Sequence, residues 1–228
     1  MTCHRLSSPM RGISMVELLV GLAVGLFIAA AGVTLMAGNL RENRSLMLES
    51  RLMQDLRTAS DIITRDLRRA GFWAGAVDSV QLPAGAARPT NPYAALAPSA
   101  AASDAVSFAF SRDSTENHSL DSNEQFGFRL RNGVIQMQLG SGNWQALTDA
   151  NTVVISEFRV APTIQEIDLG AQCSQACAAG DATCPPRQQV RSLSVSITAR
   201  SSSDANVQRS LNSQVRLRND SITGSCPA

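Results

Sequence analysis

The order of hydrophobic and polar residues divides the first third of the chain into two patterns. Leu18 to Leu40 hold no charged residue in 23 positions, which predicts a helix that is apolar on every side. Such a helix is about 34 Å long, enough to cross a membrane. Farther on, apolar residues recur every three or four positions, which predicts a helix with one apolar face that packs on another layer. These residues are Leu48, Leu52, Leu56, Ala59, Ile63, Leu67 and Ala70. The two patterns join without a break, so one helix is predicted from Ile13 to Ala70.

Beyond this helix the pattern changes to short apolar or alternating runs, which predict strands. These runs are residues 105–110, 125–131, 134–139, 152–160, 190–200 and 207–218. Asn132-Gly133 is a preferred two-residue hairpin turn. Residues 71–104 are rich in Ala, Pro and Gly and predict an irregular connection, and residues 161–189 predict a loop that carries cysteines. Because the strands follow one another with short turns, they predict an antiparallel sheet and an α+β fold, with the long N-terminal helix packed on the sheet.

The charges around the apolar segment predict its orientation in a membrane. Residues 1–12 are polar and include Arg5 and Arg11. Basic residues tend to stay on the cytoplasmic side, so the N terminus is predicted to be cytoplasmic and the rest of the chain to lie outside. The net charge of the chain is only +1, and no nucleic-acid partner is expected from it.

Glu17 departs from an ordinary membrane segment, because it places a carboxylate at the start of the apolar run. A charge at the bilayer centre costs about 2.5–3.5 kcal/mol, and less near the interface. Glu17 therefore either lies at the level of the lipid headgroups or has a partner. Taken by itself, the residue favours the first interpretation.

The segment around Glu17 resembles the signal of type IV prepilins. In Arg11-Gly12-Ile13-Ser14-Met15-Val16-Glu17, a glycine ends a short basic leader, a hydrophobic residue follows, and glutamate is fifth in the mature chain. The resemblance implies cleavage between Gly12 and Ile13 by the prepilin peptidase and N-methylation of Ile13. It also implies that Glu17 pairs with the amine of a neighbouring subunit during assembly. The alternative is a secretory signal that ends at Ala29-Ala30-Ala31, but the apolar run continues past these alanines.

Two more segments resemble the PilW group of minor pilins, Arg65–Phe72 at the end of the predicted helix and Val215–Asn219 in the last strand. The resemblance implies a pilin-like fold and a minor pilin that helps to initiate type IV pilus assembly. It also implies a place at or near the fibre tip, in support of adhesion and twitching motility. The implied partners are other minor and major pilins through the N-terminal helix, the prepilin peptidase and a large tip adhesin. A J-type pseudopilin of type II secretion is one alternative, and a membrane-anchored periplasmic binding or enzymatic domain is another.

These expectations divide the chain into four parts. Residues 1–12 are the cleaved leader, 13–40 the transmembrane and assembly helix, 41–71 its amphipathic continuation, and 72–228 a periplasmic β-rich head. The expected location is the inner membrane, crossed once, and then the pilus fibre at the cell surface.

The number and positions of the cysteines indicate the cellular compartment in which the second half of the chain folds. Cys3 lies in the predicted leader, and the other four, Cys173, Cys177, Cys184 and Cys226, follow the membrane segment. An even set in this position predicts two disulfides formed after export. Zinc is the alternative, but the cluster lacks paired C-x2-C spacing and has no histidine nearby. Four cysteines allow three pairings. A bridge from Cys226 to the 173–184 loop would hold the last strand.

Enzymatic chemistry is not expected. The chain has no G-x-S-x-G, HExxH or phosphate-binding glycine loop. Asp113, Glu116, Asp121 and Glu124 could collect a calcium ion, but the EF-hand spacing and its glycine are missing. A solvated acidic loop is favoured, with His118 solvated beside it. We therefore expect no catalytic residues, no cofactor and no metal.

Overall fold

The computed structural model describes residues 12–79 and 90–227. The chain divides into two compact units, and the boundary between Met47 and Leu48 lies inside the long helix. This helix, α1, is Met15–Leu67. The strands are β1 Leu96–Ala97, β2 Ala105–Ala109, β3 Gln125–Arg131, β4 Val134–Leu139, β5 Trp144–Ala146, β6 Val153–Asp168, β7 Arg187–Ser201, β8 Gln208–Arg216 and β9 Ser221–Thr223. Short 3-10 helices lie at Ala76–Ser79, Ser122–Glu124 and Gly170–Gln172.

In the first unit, α1 is exposed along its whole length, as every described residue up to Met47 is exposed. The most apolar 18-residue window of the helix has a mean hydropathy of 2.5 and no buried residue. By length and composition the helix can cross a membrane.

In the second unit, the predicted apolar face of α1 is buried. Leu52, Leu56, Ile63 and Leu67 are at most 2% exposed. The regular helix ends at Leu67 rather than at Ala70, because the next residues form tighter turns. Gly71 has the positive φ of +74° that suits glycine after a helix, and its N–H donates to the Ala109 carbonyl instead of continuing the helix.

The predicted fold class is confirmed, since the long helix packs against antiparallel sheets. The strands form two sheets instead of the one predicted. The first has the order β1-β2-β3-β4-β5, and the second has the order β6-β7-β8, with β9 also paired to β7. The described part of the core draws on α1 and both sheets, with Phe108, Phe126 and Phe128 from the first sheet and Val195 and Ile197 from the second.

The hairpin at Asn132-Gly133 is confirmed. Both residues have positive φ, 52° and 75°, as the favoured two-residue turn requires. The strands on either side begin and end where the sequence predicts them.

The predicted loop at 161–189 is wrong at both ends. β6 continues to Asp168 and β7 begins at Arg187, so the two strands pair far beyond the core. Glu166 accepts hydrogen bonds there from Arg187 at 3.1 Å and from Gln189 at 3.0 Å. These exposed polar residues carry no apolar alternation, and only cross-strand pairing shows that they form strands.

Candidate functional site

The prepilin-like signal lies at the beginning of α1. Residues 1–11, with most of the predicted leader and Cys3, lie outside the described residues. Gly12, Ile13 and Ser14 precede the helix, and Ser14 caps it, because its hydroxyl accepts from the Val16 N–H at 3.4 Å. A side chain at Gly12 would meet no atom within 4 Å. The predicted cleavage position is therefore irregular, exposed backbone, which a peptidase can reach.

Glu17 lies in the first turn of α1 and is exposed. A carboxylate is favoured there, since the helix N terminus carries partial positive charge. Its neighbours Val16 and Leu18 are also exposed, at 67% and 63%. Glu17 is thus a single charge within an apolar helix surface. Pairing with the amine of another subunit stays a prediction.

The four distal cysteines are joined in pairs. Cys173 is bonded to Cys226, with Cα atoms 5.3 Å apart and a sequence separation of 53. Cys177 is bonded to Cys184, with Cα atoms 5.6 Å apart. The Ser225 N–H also donates to the Thr183 carbonyl at 2.9 Å. The C-terminal segment is thus held to the cysteine loop.

The two segments that resemble the PilW group meet at the C-terminal end of α1. The Arg218 N–H donates to the Arg68 carbonyl at 3.3 Å. Asn219 Nδ2 donates to the Ala70 carbonyl at 3.0 Å. Arg68, Arg216 and Arg218 are exposed and line one open depression, together with Leu217. We call these three arginines the arginine patch.

Buried Arg191 stabilises the region where the end of α1 meets the segment after β8. Its side chain is 7% exposed and donates to the Ala94 carbonyl at 2.7 Å and to the Asn219 carbonyl at 3.0 Å. Burial lowers the pKa of the guanidinium, and the charge of Asp220 raises it in part. Arg191 therefore ties together segments that are far apart in sequence.

The acidic loop forms a network rather than a simple solvated loop. Glu124 is completely buried. Its Oε1 accepts from the Arg112 N–H at 2.8 Å, and its Oε2 accepts from the Asp121 N–H at 3.0 Å. The buried Tyr93 hydroxyl lies 3.0 Å from Glu116 Oε1. The expectation of full solvation is wrong for Glu124, because backbone N–H groups replace its water.

Protonation in this network follows burial and charge. Burial raises the pKa of Tyr93, and hydrogen bonds with Glu116 and Glu124 raise it further. Burial and the repulsion of Glu124, Asp121 and Glu116 raise the pKa of Asp113. Burial alone would raise the pKa of Glu116, but hydrogen bonds that include the His118 N–H and the Tyr93 hydroxyl lower it overall.

The possible metal ligands of this loop are close together. Among the described residues, one group of three, Asp113, Asp121 and Glu124, brings its oxygens within 4.8 Å of one another. Glu124 already accepts the two backbone N–H groups named above. His118 is exposed, and its ring packs edge-on against Trp73 at 5.7 Å between centroids. Acidic side chains often cluster in this way without an ion, and no further contact of the described residues points to calcium.

Sequence reasoning missed the arginine patch and the burial of Glu124. The available signal for the patch was the alternation of Arg216 and Arg218 around buried Leu217. Two arginines two positions apart on a strand point to the same side. Nothing in the sequence indicated that Arg68 would join them.

The second unit also matches a known family. The sequence model of the family described as prepilin peptidase-dependent protein B matches residues 45–217, about three quarters of the chain. No curated protein matches the chain significantly. No solved structure does so either. The family is a pilin-like one, and the apolar part of α1 that precedes the matched region is consistent with membrane anchoring. The chain belongs to the prepilin peptidase-dependent protein B family and is a type IV pilus-related protein.

Proposed function

We propose that this protein is a minor pilin of the PilW group, which helps to initiate assembly of a type IV pilus and is incorporated at or near the fibre tip. One observation carries the proposal. The signal Gly12-Ile13 with Glu17 lies outside the family match at 45–217. The two kinds of evidence are therefore independent, and both point to a substrate of the prepilin peptidase.

In this proposal, α1 first holds the subunit in the inner membrane. Residues 1–12 stay in the cytoplasm and are removed between Gly12 and Ile13, whose new amine is methylated. Residues 13–40 cross the bilayer, residues 41–71 continue the helix, and residues 72–228 form the periplasmic head. The periplasm is oxidising, which suits the bonded pairs Cys173–Cys226 and Cys177–Cys184.

Glu17 acts when the subunit joins the fibre. Its carboxylate meets the amine of Ile13 of a neighbouring subunit, where water is largely excluded. Two opposite charges attract strongly in a medium of low dielectric, and each offsets part of the desolvation of the other. Such a pair fixes the register of two helices that would otherwise slide along each other, since their remaining contacts are apolar and not directional.

The head acts by binding rather than by catalysis. Both oxygens of buried Glu124 already accept backbone N–H groups, and the disulfides fix the C-terminal segment. The proposed partners are other minor and major pilins, contacted through the N-terminal helix, and a large tip adhesin. Adhesion and twitching motility follow from the assembled fibre.

The mass of the mature N terminus tests the proposal. The full chain is expressed in its native host, where its own prepilin peptidase is present. The N-terminal peptide of the mature protein is then measured by mass spectrometry. We expect a peptide that begins with N-methylated Ile13. A mature chain that begins at Gly32 would contradict the proposal, because it would show an ordinary secretory signal.

Deletion of the gene separates the pilus from type II secretion. We expect fewer surface pili and less twitching, with normal levels of secreted enzymes. Loss of enzyme secretion with normal piliation would instead identify a J-type pseudopilin.

A further inference from the structure

The arginine patch is an exposed surface of the head that the proposed function does not yet use. Hydrogen bonds between the Arg218 N–H and the Arg68 carbonyl, and between Asn219 Nδ2 and the Ala70 carbonyl, fix the backbone on both sides of it. The side chains of the patch line an open depression of about 500 Å³. The patch thus has a defined backbone and exposed guanidinium groups.

Most of the charge of the patch is not balanced within the described part of the chain. Arg216 lies 3.4 Å from Asp220, whose Oδ2 also accepts from Gln188 at 2.7 Å. No described carboxylate lies within 4.0 Å of the guanidinium of Arg68 or Arg218. Only one of the three positive charges therefore has a carboxylate partner among the described residues, and that carboxylate also accepts from Gln188.

Capping of α1 does not account for the patch. Arginines near a helix C terminus often donate to the last carbonyls or offset the helix dipole. Here the carbonyls of Arg68 and Ala70 accept from the Arg218 backbone N–H and from the Asn219 side chain. No described carbonyl accepts a hydrogen bond from the guanidinium of Arg68 or Arg218. These planar donors remain available to a ligand.

Guanidinium groups match the paired oxygens of carboxylates and phosphates. A carboxylate can come from an acidic protein segment, and a phosphate from a lipid headgroup. Within the second unit, α1 runs for 20 residues from Leu48 to the end at Leu67, about 30 Å. The patch belongs to the second unit and is separated along the chain from the apolar run by this whole helix segment. The proposed function places the subunit in a fibre beside other proteins, so we choose the protein source.

An exposed aromatic residue, Phe72, lies close to Arg68 in sequence. It follows Arg68 by four residues and exposes 46% of its surface. Arginine and aromatic residues are enriched where proteins bind other proteins.

We propose that the arginine patch binds an acidic segment of a neighbouring protein in the assembled pilus, with carboxylates of Asp or Glu paired to Arg68 and Arg218. The inference rests on the proposed function, in which the subunit is incorporated into a fibre beside other pilins and a large tip adhesin.

Binding of a defined acidic probe tests the inference. The purified full chain, in detergent micelles, is titrated with a fluorescein-labelled peptide rich in Asp and Glu, and with a matched peptide of Asn and Gln. The test variant is Arg68→Gln with Arg218→Gln. The control is Arg131→Gln with Arg159→Gln, which removes two other exposed arginines and changes the net charge equally. Thermal unfolding of both variants checks that the fold is retained.

We expect the acidic peptide to bind the wild type and the control within about twofold of each other, and the test variant at least about tenfold more weakly. The amide peptide should bind none of them. Absence of binding to the wild type, or equal weakening in both variants, would overturn the inference. Binding of phosphatidylglycerol vesicles instead of the peptide would also overturn the inference, if the test variant loses this binding and the control retains it. Peptide binding in micelles requires neither cleavage nor fibre assembly, so its failure leaves the N-terminal mass as a separate test of the proposed function.

Discussion

The hydroxyl of Tyr93 lies 3.3 Å from Oε1 of Glu124, and both side chains are fully buried. The same hydroxyl lies 3.0 Å from Glu116 Oε1 and 3.1 Å from the Ser119 carbonyl. One hydroxyl carries one proton, so it cannot donate fully to all three acceptors. The two backbone N–H groups of Arg112 and Asp121 therefore provide most of the support for Glu124.

This arrangement predicts which part of the network matters more for stability. Glu124→Gln places an amide NH2 against one of the two backbone N–H donors, and the free energy of unfolding should fall by about 1–3 kcal/mol. Tyr93→Phe removes one shared hydrogen bond and should cost less, about 0.5–1.5 kcal/mol. Urea unfolding measures both. Glu157→Gln, at an exposed position, is the control, and an effect of Glu124→Gln no larger than that of the control would contradict the prediction.

Asp113 should make stability depend on pH. Its pKa is raised in the folded protein by burial and by repulsion from Glu124, Asp121 and Glu116. The folded state then holds this proton more firmly than the unfolded state, so the contribution of Asp113 to stability falls as pH rises through the raised pKa. Asp113→Asn removes the repulsion and should raise the melting temperature at neutral pH. The gain should vanish near about pH 3, where the carboxyl is protonated.

Asp104→Asn, an exposed carboxylate outside the cluster, is the matched control for Asp113→Asn. A calcium chelator should leave the wild-type melting temperature unchanged. If the chelator lowers it and Asp113→Asn destabilises the protein, the acidic group holds a cation and the repulsion argument is wrong.

The two disulfides should differ in their effect on stability. Loop closure limits the unfolded chain more when the closed loop is longer. For separations of 53 and 7 residues, that model gives about 4 kcal/mol for Cys173–Cys226 and about 2 kcal/mol for Cys177–Cys184. Paired Cys→Ser variants, unfolded without reductant, measure the difference. Thiol labelling of denatured, non-reduced periplasmic protein should find no free thiol among the four cysteines, and four free thiols would refute both bonds.

Glu17 should be required for assembly and not for insertion or folding. Glu17→Gln keeps the shape and removes the charge, which makes the apolar run easier to insert. The neighbouring amine then lacks its counter-charge where water cannot replace it. We expect normal amounts of processed protein, weaker cross-linking to partner pilins and reduced incorporation into fibres.

The matched control for Glu17→Gln is Glu42→Gln, which lies on the same helix beyond the uncharged run. This variant should assemble like the wild type. Incorporation of Glu17→Gln at the wild-type level would show that charge pairing does not drive assembly here.

Gly12 should control processing. The backbone before the scissile bond must fit the peptidase closely, and a bulky side chain prevents this. Gly12→Leu should therefore leave an uncut precursor in the membrane, as seen by its greater mass on immunoblots. Gly25→Leu, another open glycine in the exposed part of α1, should be cut normally. Normal cutting of Gly12→Leu would place the cleavage site elsewhere.

Several features were predicted from the sequence because they depend on neighbouring residues. The apolar face of α1 follows from a spacing of three to four residues, and the hairpin at Asn132-Gly133 follows from the positive φ that these residues tolerate. The signal around Glu17 is likewise a short pattern. None of these features needs knowledge of distant parts of the chain.

Other features depend on contacts between residues that are far apart in sequence, and only the tertiary structure determines them. The sequence left three cysteine pairings open, and the fold brings Cys226 to Cys173. It also divides the strands into two sheets and buries Glu124 beneath backbone donors. Arg68 and Arg218 lie 150 positions apart, yet one hydrogen bond joins them. Packing of α1 on two sheets creates these contacts, and their energies arise only once the chain is folded, so no local pattern of residues contains them.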